Sequence, residues 1–492
     1  MTELRKKADP ALIKRRYAAE RRFRFYGLAA LALTTAFLAV LLTDIVSRSL
    51  PAFTQYSAVL EVPVDPEKVD AANPAAGDYE GIVRAAWREL FPSVTTRADR
   101  RLLNGLLSGG GADELRRQVL SDPSLIGKTV KVPVMLSDDA DLFLKGQMTS
   151  VSRTPGEGAL RIRTEGENYF LSGQGLAAGT VVLADGGAFR IAADGEQAPA
   201  EVILAPAGAA DVAAGQWQVM GFGVAESQRK LNDRQAVWLE EAREKGVLDR
   251  GIAWNFFLKG DSREAEQAGI LGSIMGSLMV VFITIALSLP IGVAAAIYLE
   301  EFAPKNRLTE IIEVNINNLA AVPSIIFGLL GLAVFLGFFG MPRSVPLVGG
   351  IVIALMSLPT IIIASRAAIR AVPPSIREAA LGVGASHQQA VFHHVLPLAM
   401  PGIMTGTILA VASAIGETAP LLLIGMVAFI VDVPTGFLDS ATVLPVQIYL
   451  WSDLPERAFE ARTAAAIVVL LLIMLVLNAL AIFLRKKFER RW

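Results

Sequence analysis

The chain of 492 residues contains no cysteine. Disulfides, thiolate metal sites and cysteine nucleophiles are thereby excluded. Histidine is almost as scarce: His387, His393 and His394 are the whole set, so no histidine-rich metal centre is expected. Charge is sparse as well. Asp, Glu, Lys and Arg make up 19% of the residues and cancel to a net −1, against roughly 25% charged residues in a soluble globular chain. That balance excludes nucleic-acid binding driven by excess base. No G-x-x-x-x-G-K-[ST] occurs, so the chain has no P-loop for ATP. Catalytic side chains form no recognisable constellation, and neither an enzyme nor a cofactor is expected.

What is abundant is apolar. Hydrophobic residues reach 53% and mean hydropathy is +0.47. They concentrate near the N-terminus and in 269–492, the pattern of a polytopic membrane protein. A helical span needs about 20 mostly apolar residues. The first candidate is 26–46, which is longer than a signal-peptide core and reads as an uncleaved anchor. The basic segment 1–25 precedes it, with Arg5, Lys6, Lys7, Lys14, Arg15, Arg16, Arg21, Arg22 and Arg24. The positive-inside rule puts that segment in the cytoplasm. Five further spans read as 269–298, 314–339, 347–368, 401–430 and 464–484. Lys305 and Arg307, then Arg366, Arg370 and Arg377, then the C-terminal 485–492 with Arg485, Lys486, Lys487, Arg490 and Arg491 all fall on the inner side of a six-span topology. Both termini are then cytoplasmic.

This topology places 47–268 outside as a separate domain, expected to be α+β. Without cysteine it must be stable from its own core. Periodicity predicts amphipathic helices over 78–90 and 97–107, strands over 130–136, 159–163 and 201–204, and a polar helix over 227–245 leading back to the membrane. The Gly- and Ala-rich stretch 175–215 reads as turns and loops.

The segment 370–401, RAVPPSIREAALGVGASHQQAVFHHVLPLAMP, carries the most information. Pro373 and Pro374 delay helix formation. Ser375 with Glu378 three residues later has capping-box spacing, and a short helix 377–381 follows. Gly382 and Gly384 end it, since glycine takes positive φ at little cost. A second helix is predicted from Ser386 to about Val395, closed by Pro397. On these grounds alone the loop is either a polar connector or a rigid helix–turn–helix for a partner.

These residues resemble the EAA loop of ABC importer permeases. Glu378-Ala379-Ala380, Gly384 and Leu396-Pro397 match its spacing, with His394 where the family prefers Ile. In the family this loop is a coupling helix seated in a cleft of the ATPase, which implies that role for Arg377, Glu378, Ala379, Ala380, Gly384, Leu396 and Pro397. Three further stretches narrow the resemblance to phosphate importer permeases of the PstA type: Gly416-Glu417-Thr418-Ala419-Pro420-Leu421-Leu422, Val372 to Ala380, and Gly402-Ile403-Met404-Thr405-Gly406. The resemblance covers about 269–492 and implies a type I importer permease core in the bacterial inner membrane. It also implies a second permease of the PstC type, a homodimeric ATPase of the PstB type and a phosphate-binding protein of the PstS type. The insertion after the first span looks like the extension of a long subclass.

Pathway candidates are fewer. Glu417 falls inside the expected fifth span, where an ionised side chain costs roughly 2.5–3.5 kcal/mol on insertion scales. It is either a structural carboxyl bonded near Thr418 or a gate residue paired with an Arg. Family members often carry that Arg four residues earlier; here the position is Ser413, so the Arg would come from another span or from the partner permease. Arg366 is either an anchor snorkelling to the interface or an anion contact at the inner mouth. Asn315, Asn317 and Asn318 read as interhelical hydrogen-bonders, and Gly269, Gly272 and Gly276 as a small-residue packing stripe. His393 and His394 read as surface residues of the loop.

Three other readings compete. An importer for another oxyanion or small solute would share the EAA loop. A membrane receptor or sensor would need a cytoplasmic output domain, which the short inner segments do not provide. A proton-coupled secondary transporter would show repeated halves and several intramembrane charges.

Overall fold

The computed structural model describes residues 10–148, 151–165, 168–206 and 211–488. Arg5, Lys6, Lys7, Arg490 and Arg491 lie outside them. The chain opens with α1 (Pro10–Ser49), which extends the first apolar run upstream through its basic segment. Lys14 to Arg24 is rich in Arg and Ala, good helix formers, and carries an i,i+4 pair, Arg24–Glu20 at 3.7 Å. At 1.5 Å per residue the helix is about 60 Å long, roughly twice the hydrocarbon thickness.

The insertion is an α+β unit with two sub-cores. Its elements are β1 (Thr54–Pro63), α2 (Tyr79–Glu89), α3 (Arg97–Asn104), α4 (Asp113–Ser121), β2 (Thr129–Met135), α5 (Asp138–Leu144), β3 (Val151–Pro155), β4 (Leu160–Glu165), β5 (Asn168–Ser172), β6 (Val181–Ala184), β7 (Gly187–Ile191), β8 (Ala198–Leu204), β9 (Asp211–Val212), β10 (Trp217–Phe222), α6 (Asp233–Glu244), β11 (Leu248–Ile252) and α7 (Trp254–Leu258). An antiparallel sheet of order β11-β1-β2 takes α2 to α6 around Trp87, Phe91, Leu103, Leu115 and Trp238. A second sheet, β3-β10-β6-β7-β8-β5-β4-β9, closes over Trp217, Phe189, Leu160 and Leu171.

The helices and strands expected at 78–90, 97–107, 130–136, 159–163 and 201–204 are present as α2, α3, β2, β4 and β8. The polar helix is shorter, α6, with an Asn232–Gln235 capping box at its start. It does not lead directly to the membrane, because β11 and α7 intervene. The expectation of loops across 175–215 is corrected: this stretch holds β6 to β9. Its glycines sit in the turns between short strands. Asp185 (φ 50°) and Gly186 (φ 68°) form a two-residue hairpin turn pairing Ala184 with Gly187, the Asp-Gly chemistry that favours such turns.

Strands β1 and β11 pair from Thr54↔Ile252 to Ala58↔Leu248. The insertion therefore leaves the end of α1 and returns to the next apolar helix through adjacent antiparallel strands. The remaining helices are α8 (Leu271–Ile297, continued by a π turn Tyr298–Phe302), α9 (Arg307–Ala320), α10 (Ser324–Gly331, continued by a π turn Leu332–Phe338), α11 (Pro346–Arg370), α12 (Pro374–Gly382), α13 (His387–Ala390, continued by a π turn Val391–Val395), α14 (Leu396–Ile415), α15 (Ala419–Leu423), α16 (Leu444–Ser452) and α17 (Arg457–Phe488).

Among the described residues, five helices are long and apolar enough to cross a membrane, and six spans result if α9 and α10 count as one. Those two meet at a 100° bend, so the third span is not the continuous helix expected over 314–339. Pro323 accounts for the break, since it disfavours helix at the residue before it. The fifth span is also displaced. Helix runs unbroken from His387 to Ile415 and stops, so 416–430 is not part of it. The residue before Pro420 resists continuation, and Gly425 (φ 91°) ends α15.

Helices α8, α11 and α14 form the centre. Gly402 and Gly406 let α14 approach α11 closely: a Cβ there would lie 2.6 and 2.2 Å from the Cβ atoms of Ala368 and Ala364. The stripe predicted at Gly269, Gly272 and Gly276 does different work. A Cβ on Gly269 would strike the Lys259 carbonyl at 2.3 Å, and one on Gly276 the Thr442 carbonyl at 2.0 Å. These glycines admit neighbouring loop backbone rather than another helix. Asn315 bonds its own helix at Ile311 O (2.7 Å), and Asn317 and Asn318 are exposed, so the expected interhelical bonds do not form among the described residues.

The two ends of the bundle differ. One carries the insertion and the 424–443 loop. There Arg462, at 6% exposure, reaches Ala268 O, and Trp451 Nε1 donates to Asp261 Oδ1 at 2.9 Å. Lys145 beside it pairs with Asp141 and donates to Pro51 O and Thr54 O. The opposite end carries 370–401.

Candidate functional site

The loop begins where α11 stops at Arg370. Pro373 is the cap position of α12 and Pro374 its first residue; no side chain caps the helix. The capping box expected from Ser375 and Glu378 is therefore absent. Proline suits the first helical turn, where its missing N–H has no partner to lose and its φ is already set. Helix α12 ends at Gly382, and Gly384 takes φ 93°. A capping box that was not expected forms one helix later: the Ser386 side chain accepts from Gln389 N, and the Gln389 side chain accepts from Ser386 N. The helix expected to close at Pro397 continues instead. The π turn Val391–Val395 leads without a break into α14, so Pro397 lies inside a continuous helix, directly after the widened turn that accommodates a missing N–H.

Arg377 and Glu378, adjacent in sequence, face opposite ways. Arg377 Nε and Nη2 donate to Glu301 Oε1 at 3.1 and 2.7 Å, Nη1 to Val372 O at 2.7 Å and Nη2 to Ile369 O at 2.9 Å. Glu378 and Ala379 are exposed, whereas Ala380 is buried. The tip presents Leu381 and Val383, the latter 86% exposed. A hydrophobic tip on a short helix, with a free carboxylate one turn back, is a surface built for a partner rather than for water. Below it, His393, His394, Pro397, Ala368, Val372 and Ile376 line an open groove of about 570 Å³. Both histidines are exposed, as expected. Leu396 and Pro397 are half-buried at the root.

Arg366 lies at the base of the loop with both sides occupied. Its Nε meets Glu300 Oε1 at 2.7 Å and its Nη2 meets Glu313 Oε1 at 2.7 Å, with the guanidinium only 12% exposed. Arg370 adds a second cation to Glu300 at 2.7 Å. In this arrangement Arg366 ties α8, α9 and α11 together, its Nε and Nη2 both committed to carboxylates. Sequence reasoning missed Glu300, Glu301 and Glu313. The signal was the pair of acids closing the second apolar run, opposite arginines that close the fourth.

The pathway candidates lie elsewhere. Glu417 is not in the middle of a helix: it follows Gly416 in the break between α14 and α15. Its carboxylate has no ion pair or hydrogen bond among the described residues, and the side chain is half-buried. Thr418 directly precedes α15, with its hydroxyl near Gly416 O at 3.5 Å. Ser413 donates to Leu409 O at 3.1 Å and is exposed. The structure brings Glu417, Thr418 and Ser413 to one helix break and keeps Arg366 apart, within the base of the loop.

Comparison with known proteins also treats the two parts of the chain separately. Residues 288–492 match the family model of binding-protein-dependent transport system inner membrane components, and 11–153 match a domain of unknown function, DUF3333. Phosphate transport system permease protein PstA 1 of Mycobacterium tuberculosis is 28% identical over 52% of this chain and 83% of its own length. PstA 2 of Mycobacterium bovis is 31% identical over 50% of this chain and 82% of its own length. PstA of Yersinia pestis is 30% identical over 44% of this chain and 74% of its own length. With an EAA loop at the end of the bundle opposite its insertion and this likeness along most of three PstA proteins, the chain belongs to the family of PstA-type permeases of phosphate ABC transporters.

Proposed function

We propose that this chain is a transmembrane subunit of an ATP-driven importer for inorganic phosphate in a bacterial inner membrane. It spans the bilayer six times with both termini in the cytoplasm and the insertion on the periplasmic side. A second permease of the PstC type completes the pathway, and a PstS-type binding protein delivers phosphate. ATP is hydrolysed on a separate PstB-type dimer, which receives the 370–401 loop in a cleft. The observation that carries this reading is the two-sided loop: Arg377 is fixed to the bundle, while Glu378, Leu381 and Val383 stand free. A short helix held at its base and bare at its tip can take up displacement from a moving partner and pass it to the helices it joins.

Glu417 and Thr418, with Ser413 behind them, are the pathway residues in this reading. Glu417 has no cation partner among the described residues, so in this reading its partner is an Arg of the second permease. Arg366 is assigned to the inner base rather than to anion contact. The test is uptake of radiolabelled phosphate in cells whose other phosphate routes are deleted, with and without this chain. Uptake that depends on the chain, the second permease and the ATPase together supports the reading. Competition by a different oxyanion at equal concentration would reassign the substrate while leaving the permease role intact.

A further inference from the structure

The end of α8 holds two adjacent glutamates that no part of the transport reading assigns. Glu300 and Glu301 lie in the π turn Tyr298–Phe302, where each turn of backbone contains an extra residue. Both carboxylates are turned inward. Glu301 is 5% exposed and holds Arg377 of α12. Glu300 holds Arg366 and Arg370, which are one turn apart on α11. Glu313 of α9 reaches the other side of Arg366.

The backbone of the same turn is used as well. His387 Nε2 lies 2.8 Å from Glu301 O, at the start of α13, and its ring packs edge-on against Phe302 at 5.1 Å between centroids. Arg377 meanwhile donates to Ile369 O and Val372 O, carbonyls at the C-terminal end of α11, where helix geometry leaves them without intrahelical partners. One five-residue turn thus touches α11, α12 and α13 through charge-assisted or ring contacts, and α9 joins the cluster through the Glu313–Arg366 pair. Helix α12 cannot swing relative to α8 or α11 without separating partly buried ion pairs. Pairs of that kind, unlike exposed ones, are strongly destabilised by losing one partner.

We infer that Glu300 and Glu301 are positioning residues that clamp the loop to the bundle, so that α8, the inner end of α9, α11 and α12 move as one body when the tip is displaced. The inference rests on the permease reading above and adds the transmission element to it. The clamp acts through Arg377 and Arg366, and neither glutamate meets substrate or nucleotide.

The chain has no cysteine, which makes a tethering experiment clean. In the assembled, reconstituted transporter, Glu301→Gln should assemble normally and hydrolyse ATP, while phosphate moved per ATP falls about tenfold, the scale of a typical coupling energy. The double variant Glu301→Cys/Arg377→Cys should be uncoupled in the same way. Bridging its two thiols with a short bifunctional reagent should restore coupling, because a covalent tether replaces the ion pair. A merely structural role would lower subunit yield and would not respond to the bridge. Wild-type stoichiometry in Glu301→Gln, or loss of uptake on bridging, overturns the clamp. If the wild-type complex itself shows no ATP-driven phosphate uptake, it is the permease reading that fails, and the two failures are thereby distinguished.

Discussion

Glu417 shows how much a single side chain depends on its surroundings. In sequence it lies in an apolar run and resembles a costly intramembrane charge. In the fold it occupies a helix break with no cation beside it among the described residues. Glu417→Gln therefore breaks no described pair, and the thermal stability of the purified subunit should be unchanged. If Glu417 has the pathway role proposed above, phosphate uptake should fall severely, because the charge is lost. Uptake measured beside subunit levels decides it: near-normal transport in Glu417→Gln would leave only a structural role. Asp261 is the opposite case, a carboxyl with a partner and little water. Burial pushes its pKa above the ordinary 3.8, and the hydrogen bond from Trp451 offsets part of that. The folded state then holds this proton to higher pH than the unfolded chain. Its contribution is fully present below about pH 4 and is lost as pH rises through the elevated pKa. Asp261→Asn keeps an acceptor for Trp451 and removes the charge. It should raise the melting temperature near neutral pH, with the gain vanishing towards about pH 4. An equal gain at both pH values would show that desolvation of the carboxylate is not the cause.

At the scale of elements, the informative points are where helices stop. The turn between α12 and α13 depends on Gly384 at φ 93°. A side chain at positive φ costs about 1–2 kcal/mol, and a β-branched one is worse placed still. No neighbouring atom lies within 4 Å of where its Cβ would be, so the strain is in the backbone and does not arise from a clash. Gly384→Val should leave insertion and subunit yield intact, re-aim the tip and abolish coupled uptake; normal phosphate uptake by this variant would remove the coupling role from the loop. Much of this geometry was legible in sequence. The glycine pair and the apolar runs each have a local cause, whereas the capping box expected at Ser375 and Glu378 forms at Ser386 and Gln389 instead. The bend before α10, the stop at Ile415 and the run of helix past Pro397 were misread. A proline marks a possible break, but whether the chain bends there or carries the ring on through a widened turn, as before Pro397, depends on what packs against it. The strands β6 to β9 were missed for a related reason: composition suggested loop, while the Asp185-Gly186 turn flanked by Val181-Val182 and Phe189 carried the hairpin signal.

At the scale of the molecule, the two ends of the bundle are built for different work. One end joins the insertion to the apolar helices through paired strands, the buried Arg462 and the Asp261–Trp451 contact. The other collects the basic residues around Glu300, Glu301 and Glu313. The proposed orientation can be measured directly, since the chain offers a cysteine-free background. A single cysteine at Lys131, on a strand of the insertion, should react with an impermeant thiol reagent from the periplasmic side. One at Val383, at the loop tip, should react only after the inner membrane is opened. The reverse pattern would invert the topology. Because the insertion is held by buried contacts at both its entry and its exit, it should move with α1 and α17 rather than hang as a tethered domain.

The sequence alone determined the class of protein, the positions of the apolar runs, the basic residues that bias their orientation, and the family, because these follow from local composition and from a motif with fixed spacing. Only the tertiary structure decided which charges are partners. Glu300 and Arg366 are 66 residues apart, and Glu301 and Arg377 are 76 apart. Nothing in either stretch specifies the other until α8 and α11 pack side by side through Gly292 and Gly350 against Ile361 and Ile283. The same holds for Arg462, which is exposed in any local reading and buried only when α17 meets the end of the insertion. Ion pairs at long range are set by packing, and packing is a property of the assembled helices rather than of any one of them.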